Sequence, residues 1–188
     1  MTLLFVNACM RGEQSKTLSL CHDYLAARPD ADVVEVNLAE LSLKPFDGEM
    51  VAYRTEKQEA QDWDDPIFDL AKQIASADEI LIGAPYWDLS FPSALKIYIE
   101  HCSVCELTFH YTEDAHCEGL CKAKKTTYIT TSGGIIGDRN FGYDYICGIG
   151  QMFNLGEMRF ISAEGLDIIG VDIESILNKA REEIKALD

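Results

Sequence analysis

Several features that mark other protein classes are missing from this sequence. No apolar run approaches the roughly 20 residues that a membrane-spanning helix needs. No basic segment followed by a long apolar region stands at the N-terminus, so we expect no secretory signal peptide. The chain also has no internal repeat and no low-complexity tract. These absences argue against a membrane protein and against export.

Positively charged residues are scarce. The chain has 16 Lys and Arg against 32 Asp and Glu, which gives a formal net charge of −16. Such acidity argues against nucleic acid and against an anionic membrane surface as partners. Any anion bound by this protein must therefore be held by a local cluster of donors, against an unfavourable overall field.

The length and composition predict one compact domain. A chain of 188 residues, of which 47% are hydrophobic, is long enough to bury a core, and we expect a single domain over residues 1–188. Seven cysteines, an odd number in a chain without an export signal, fit free thiols in a reducing cytoplasm. Cys9, Cys21 and Cys147 stand in apolar or helical context and are expected to be small core residues.

Predicted strands and helices alternate along the chain. The strands are short apolar runs at 3–6, 33–37, 79–84, 126–131 and 158–163. The helices have apolar residues at helical spacing and cover 15–28, 67–76, 93–100, 143–154 and 172–186. Five such units predict an α/β fold with an open, doubly wound parallel sheet, whose ligand lies beyond the carboxyl ends of the strands. The acidic stretch 40–65 is expected to be an irregular surface excursion.

The turn after the first strand has the composition of a phosphate-binding loop. It reads Cys9-Met10-Arg11-Gly12-Glu13-Gln14-Ser15-Lys16-Thr17 and opens a helix, whose first N–H groups attract anions. Its single glycine excludes a Walker A loop and a dinucleotide fingerprint. Hydroxyl and cationic side chains suit a terminal monophosphate. The alternative is an ordinary turn in which Ser15 caps the helix.

Two further loops follow the third and fourth predicted strands. Pro85-Tyr86-Trp87-Asp88-Leu89 offers aromatic side chains that would hold a planar aromatic ligand. Ser132-Gly133-Gly134 lets a ligand approach the backbone closely and meet its N–H donors. A hydrophobic turn and a flexible glycine loop are the simpler interpretations of each segment alone. Because all three loops stand at carboxyl ends of strands, a shared site is the better hypothesis.

With these loops the chain resembles a known family, the flavodoxin-like NAD(P)H oxidoreductases that bind FMN. The resemblance is strongest to the homodimeric FMN-dependent NADH:quinone reductase and azoreductase branch, and it covers most of the chain. The segments that carry it are Ala84-Pro85-Tyr86-Trp87, Pro92-Ser93-Ala94-Leu95-Lys96, Leu107-Thr108-Phe109-His110-Tyr111-Thr112-Glu113, Glu118-Gly119-Leu120, Lys124-Lys125, Ser132-Gly133-Gly134 and Ala163-Glu164-Gly165. It implies a flavodoxin-like five-stranded sheet of order 2-1-3-4-5 with helices on both faces.

The resemblance also assigns roles to residues. It implies that the FMN phosphate is held by Arg11, Ser15, Lys16 and Thr17. It implies that the isoalloxazine edge is lined by Pro85, Tyr86, Trp87, Asp88 and Leu89. It places the pyrimidine end of the ring at Ser132, Gly133 and Gly134. The active site is expected at a homodimer interface, with segment 109–118 as part of its wall.

The implied activity is a two-electron, ping-pong transfer. A hydride passes from NADH or NADPH to FMN, and a quinone, azo compound or related small aromatic acceptor is then reduced in the same place. We expect Trp87, Phe109, His110 and Tyr111 to form the acceptor pocket. Asp88 departs from the family, which usually has an amide there, and an ionised carboxylate would disfavour an anionic reduced flavin.

Four clustered cysteines form a second departure. Cys102 and Cys105 are spaced C-x2-C, and Cys117 and Cys121 are spaced C-x3-C, which is compatible with a zinc or iron–sulfur site. A reversible disulfide and plain free thiols are the alternatives. A metal centre would favour a second function, a flavodoxin-like FMN electron carrier or redox sensor without a nicotinamide site. A scaffold that binds no FMN is the third alternative.

Overall fold

A five-stranded parallel sheet forms the centre of the protein. The structure is a computed structural model and describes residues 1–187, so Asp188 of the expected 1–188 domain lies outside the described residues. The strands are β1 (Thr2–Asn7), β2 (Asp32–Asn37), β3 (Glu79–Gly83), β4 (Phe109–Tyr111), β5 (Cys117–Gly119), β6 (Lys125–Thr131) and β7 (Glu157–Ala163). The parallel sheet has the order β2-β1-β3-β6-β7. This order confirms the expected 2-1-3-4-5 arrangement of a flavodoxin-like sheet.

Helices cover both faces of this sheet. They are α1 (Lys16–Ala26), α2 (Gly48–Glu59), α3 (Asp69–Ser76), α4 (Ser93–Cys102), α5 (Phe141–Phe153) and α6 (Ile173–Lys185). Side chains alternate along β1, so Leu3 and Phe5 join the cluster formed with α1 and α6, whereas Leu4 and Val6 join the cluster on the other face. All four are fully buried, and each such burial contributes about 1.5–3 kcal/mol. This two-sided burial is why the strands are continuous apolar runs.

The expectation of irregular structure over 40–65 was wrong, because this stretch contains helix α2. Asp47 caps the helix, its Oδ1 accepting the N–H of Met50 at 2.9 Å. No residue of α2 is buried, so the sequence has no stripe of apolar residues here that would predict a helix. The segment before it is held by Phe46, whose ring lies between the His101 ring, with centroids 4.5 Å apart, and the Arg54 guanidinium, 4.2 Å from its centroid.

Strands β4 and β5 form a small antiparallel hairpin that the sequence reading did not predict as strands. Phe109 anchors it, since its ring stacks in parallel on Phe153 of α5 at 6.1 Å. Over residues 1–187, none of the helices has the length and apolar character needed to cross a membrane.

An ionic cluster is buried at the amino end of β3. Glu79 has no solvent exposure and accepts a hydrogen bond from the Tyr24 hydroxyl at 2.5 Å. The Arg28 Nε lies 3.2 Å from one of its oxygens, and the Lys125 Nζ lies 3.1 Å from the other. Burial raises the pKa of Tyr24, which keeps this hydroxyl a donor. The cluster lies at the opposite end of β3 from the strand ends where ligands bind in such folds.

Candidate functional site

The loop between β1 and α1 is a short 3-10 turn followed by a capped helix. Gly12 has a φ of +52°, a backbone conformation that glycine adopts at no steric cost. The Ser15 Oγ accepts the N–H of Leu18 at 3.3 Å, so Ser15 is the N-cap of α1. Capping uses one of the first helical N–H groups and leaves others to meet an anion. The capping and phosphate-binding interpretations are therefore compatible.

Thr17 lies beneath this loop. Its side chain is fully buried, and its Oγ1 is 2.7 Å from the Thr131 Oγ1 at the end of β6. The hydroxyl thus joins α1 to the sheet, and its side chain does not line the cavity described below.

The loop after β3 makes a strained two-residue turn. The N–H groups of Trp87 and Ser90 donate to each other's carbonyls, at 3.1 and 2.8 Å. Between them, Asp88 and Leu89 have φ values of +50° and +66°. Asn-Gly pairs are typical of such turns, because a bulky side chain at positive φ is strained. The turn packs against α5, where a Cβ on Gly142 would lie 3.2 Å from the Ser90 carbonyl carbon.

The loop after β6 is paired with the loop after β7. Leu166 and Asp167 donate their backbone N–H groups to the carbonyls of Ser132 and Gly133, at 3.0 and 2.9 Å. The Asp167 carboxylate covers Gly133 so closely that a Cβ there would overlap its Oδ2 and lie 2.8 Å from its Cγ. A side chain at Gly133 would therefore force the Asp167 carboxylate to move.

A cavity of about 410 Å³ joins these loops. Its lining contains eight of the residues predicted for the site, namely Arg11, Ser15, Lys16, Pro85, Tyr86, Trp87, Ser132 and Gly133. It also contains four that were not predicted, namely Gln14, Thr131, Leu166 and Asp167. Gln14 and Thr131 adjoin predicted residues, and the pair 166–167 follows the last strand, so position at a strand end was the available signal.

Other predicted residues lie away from this lining. Besides Thr17, these are Asp88, Leu89, Gly134, Phe109, His110 and Tyr111. Phe109 is only 7% exposed and packs in the core. His110 lies on the hairpin, with its Nε2 3.2 Å from the Glu118 Oε2, and Tyr111 is exposed.

Two cations, Arg11 and Lys16, line the cavity. Within the described residues 1–187, no carboxylate lies within 4.0 Å of the charged nitrogens of Arg11 or Lys16. Tyr86 stiffens the opposite side, since its hydroxyl donates to the Arg139 carbonyl at 2.9 Å. The cavity thus has an anion-binding side at the first loop and an aromatic side at the second.

The thiols of Cys9 and Cys21 pack below the first loop. Both lie against Gly83, where a Cβ would overlap the Cys21 Sγ and lie 3.6 Å from the Cys9 Sγ. A hydrogen bond from Cys21 lowers the pKa of Cys9, and burial raises the pKa of Cys21. Both are core residues, as expected, whereas Cys147 is only half-buried.

The four clustered cysteines are not brought together as a ligand set. In the part of the chain that the structure describes, no three His, Cys, Asp or Glu side chains are grouped so as to hold a metal ion, and all seven cysteines are free thiols. Cys102 and Cys121 are buried, and their thiols donate to the carbonyls of Leu70 and Thr108. Burial raises the pKa of Cys121 to about 12 and also raises that of Cys102. Cys117 is exposed and Cys105 half-buried.

Comparison with known proteins gives consistent similarities. A family model described as flavodoxin-like fold matches residues 1–187. The FMN-dependent NADH:quinone oxidoreductase 2 of Clostridium acetobutylicum is 32% identical over 172 residues, which cover 89% of this chain and 85% of that protein. The FMN-dependent NADH:quinone oxidoreductase of Coprothermobacter proteolyticus is 30% identical over 195 residues, which cover 98% of this chain and 96% of that protein. The crystal structure of azoreductase from Bacillus anthracis str. Sterne superimposes on this chain with a TM-score of 0.85 at 25% identity. The match covers 100% of this chain and 98% of the azoreductase chain.

Proposed function

This chain belongs to the flavodoxin-like fold family and, within it, to the FMN-dependent NADH:quinone oxidoreductases, and on that premise we propose how its cavity works. The protein is an oxidoreductase that binds FMN. It passes two electrons from NADH or NADPH, by a ping-pong sequence, to a quinone, azo compound or related aromatic acceptor. Its seven free thiols favour a reducing cytoplasm as its location.

The observation that carries this proposal is the cavity shared by three strand-end loops. Its size, about 410 Å³, lies within the range of small-molecule sites. Arg11 and Lys16, which form no ion pair within residues 1–187, suit a phosphate together with the α1 N-terminus and Ser15. Tyr86 and Trp87 suit a planar ring system. The residues present therefore fit FMN.

Each loop has its own task in this proposal. Arg11, Ser15 and Lys16 hold the phosphate, and the segment 85–89 orients the isoalloxazine edge. The segment Ser132-Gly133-Gly134 meets the pyrimidine end, where Gly133 and Gly134 offer their backbone N–H groups; the Ser132 N–H donates to the Ala163 carbonyl at 3.0 Å. When bound, FMN supplies the hydride chemistry, and the protein supplies binding, alignment and exclusion of water.

A homodimer completes the site. Large apolar side chains stand exposed on the strand-end loops beside the cavity, among them Trp87 at 42%, Ile135 at 68% and Ile169 at 101%. Exposed apolar side chains that lie close together often mark a surface that binds another protein. We propose that a second copy covers them, and that His110 and Tyr111 on the β4–β5 hairpin form part of the acceptor wall at that interface together with Trp87.

Flavin binding and reduction test the proposal in two steps. FMN is added to flavin-free protein and the quenching of its fluorescence is followed, after which NADH or NADPH is mixed with the complex without oxygen in a stopped-flow instrument. Tight binding and rapid bleaching at micromolar nicotinamide support the oxidoreductase. Binding without bleaching by either nucleotide would indicate the electron carrier, and no binding would indicate the flavin-free scaffold. Analytical ultracentrifugation at micromolar concentration tests the dimer separately.

A further inference from the structure

We propose that Asp167 couples reduction of the bound flavin to the uptake of a second proton. The inference rests on the FMN site proposed above and concerns a residue that neither the loop motifs nor the family resemblance singled out. It follows from the place of this carboxylate in the cavity, from the charges around it and from the chemistry of a two-electron flavin.

The position of Asp167 is fixed by the backbone. The loop after β7 runs beside the loop after β6, with the Leu166 and Asp167 N–H groups bonded to the carbonyls of Ser132 and Gly133 at 3.0 and 2.9 Å. Asp167 lines the cavity, and its carboxylate covers Gly133, its Cγ only 2.8 Å from where a Cβ would stand. The carboxylate is thus held at the loop assigned to the pyrimidine end of the ring.

The Asp167 carboxylate forms no ion pair with the residues that the structure describes. Among residues 1–187, no Lys, Arg or His nitrogen lies within 4.0 Å of it. Arg11 and Lys16 face the same cavity from the phosphate loop and are assigned to the phosphate. Glu164 is already occupied, since its two oxygens accept the Ile136 N–H and the Ser162 hydroxyl, both at 2.8 Å. On the loop after β3, Asp88 adds a second carboxylate outside the lining.

Flavin reduction can end in two charge states. When the ring takes up two electrons and one proton, the reduced flavin is an anion. When it takes up two electrons and two protons, the reduced flavin is neutral. A like charge nearby disfavours the anion. Because the Asp167 carboxylate is unpaired and lies against Gly133, the site takes up the second proton. The nicotinamide hydride brings both electrons and one proton, and solvent supplies the other, so that NADH + H⁺ + FMN gives NAD⁺ and neutral reduced flavin.

The test is the proton stoichiometry of reduction, read from the pH dependence of the midpoint potential of the FMN-loaded protein. We expect two protons per two electrons for the wild type between pH 7 and about pH 8. Asp167→Asn keeps the shape and removes the charge. We expect it to take up one proton per two electrons in this range, and to bind FMN at least as tightly. Asp138→Asn removes an exposed carboxylate that does not line the cavity and should behave as wild type.

Each other outcome overturns the inference. It fails if the wild type takes up one proton, if Asp167→Asn keeps two, or if Asp167→Asn loses FMN. It also fails if Asp88→Asn, measured in parallel, changes the stoichiometry and Asp167→Asn does not. A wild-type protein that binds no FMN would instead refute the proposed function, and this is seen at the binding step before any potential is measured.

Discussion

The hydroxyls of Thr17 and Thr131 lie 2.7 Å apart although 114 positions separate the two residues in the sequence. Thr17 is the second residue of α1, and Thr131 ends β6 directly before the glycine loop. One part-buried hydrogen bond therefore links two of the three strand-end loops that line the cavity. The Thr17 side chain is fully buried and does not line the cavity, so we expect its effect on ligand binding to be indirect.

This relationship separates the effects of two neighbouring residues. Ser15→Ala removes a hydroxyl that faces the cavity and caps α1, so we expect FMN affinity to fall about tenfold and stability to fall by about 1 kcal/mol. Thr17→Val should cost about 1–2 kcal/mol of stability with only a small change in affinity. Fluorescence titration and urea unfolding measure the two quantities. Equal losses of affinity in the two variants would show that Thr17 contacts the ligand directly.

Leu89 should be a site of stored strain. Its φ of +66° costs an L-amino acid about 1–2 kcal/mol, so Leu89→Gly should raise the free energy of unfolding by about 1 kcal/mol. Leu120 is a matched control, being 42% exposed against 43% for Leu89 and not at positive φ. Leu120→Gly should give no gain. Thermal unfolding of both variants measures these changes in stability. A destabilised Leu89→Gly variant would mean that the contacts of the Leu89 side chain outweigh the backbone strain.

Gly133 and Asp167 should show strong coupling. Gly133→Ala places a Cβ onto the Asp167 carboxylate, so we expect a loss of about 1–3 kcal/mol and weaker FMN binding. In an Asp167→Ala background the same change should cost much less, because the overlapping carboxylate is gone. Gly134→Ala is the control, since nothing lies within 4 Å of a Cβ there. Additive losses in the double variant would contradict the close contact.

The Glu79 cluster should support stability without touching the ligand site. Glu79→Gln removes the fully buried negative charge that pairs with Arg28 and Lys125, and we expect a loss of stability of about 3–5 kcal/mol. Glu157→Gln breaks the exposed pair with Arg159 and should cost less than about 1 kcal/mol. FMN affinity should be unchanged in both. A mild effect at Glu79 would show that the cluster is solvated in solution.

Thiol reactivity should follow burial. At pH 8 the exposed Cys117 should react with iodoacetamide first, whereas Cys102 and Cys121 should stay protected, because burial raises the pKa of both thiols. In the unfolded chain these thiols ionise near pH 9, so stability should fall as the pH rises from there toward about 12, the value reached by Cys121. Mass spectrometry of the labelled peptides gives the order of reaction. Fast labelling of Cys121 would show that the hairpin opens.

The strands and helices that show a regular pattern of apolar residues could be predicted from the sequence. Strands such as β3 are apolar throughout, and helices such as α6 have an apolar stripe, so every predicted strand and helix is present with ends within two residues. Helix α2 was missed because it buries none of its residues, and only its cap at Asp47 marked it. The hairpin was missed because its strands, three residues each, are too short to show alternation.

The site was predictable as a set of loops but not as a set of side chains. Motif position identified Arg11, Trp87 and Gly133 correctly as lining the cavity. It could not show that Thr17 turns inward to Thr131, since that contact depends on how α1 docks on the sheet. For Asp167 the only available signal was its position after the last strand, because the residues around it form no motif that distinguishes it from the other acidic residues of the surface.

The hydrogen bond from the Tyr86 hydroxyl to the Arg139 carbonyl limits how a ligand can enter. It joins the loop after β3 to the segment before α5, so separating these two segments breaks this bond. The bond is exposed, and its net contribution is about 1 kcal/mol. Replacing the hydroxyl, as in Tyr86→Phe, would therefore speed both entry and escape of the ligand while changing its equilibrium affinity far less.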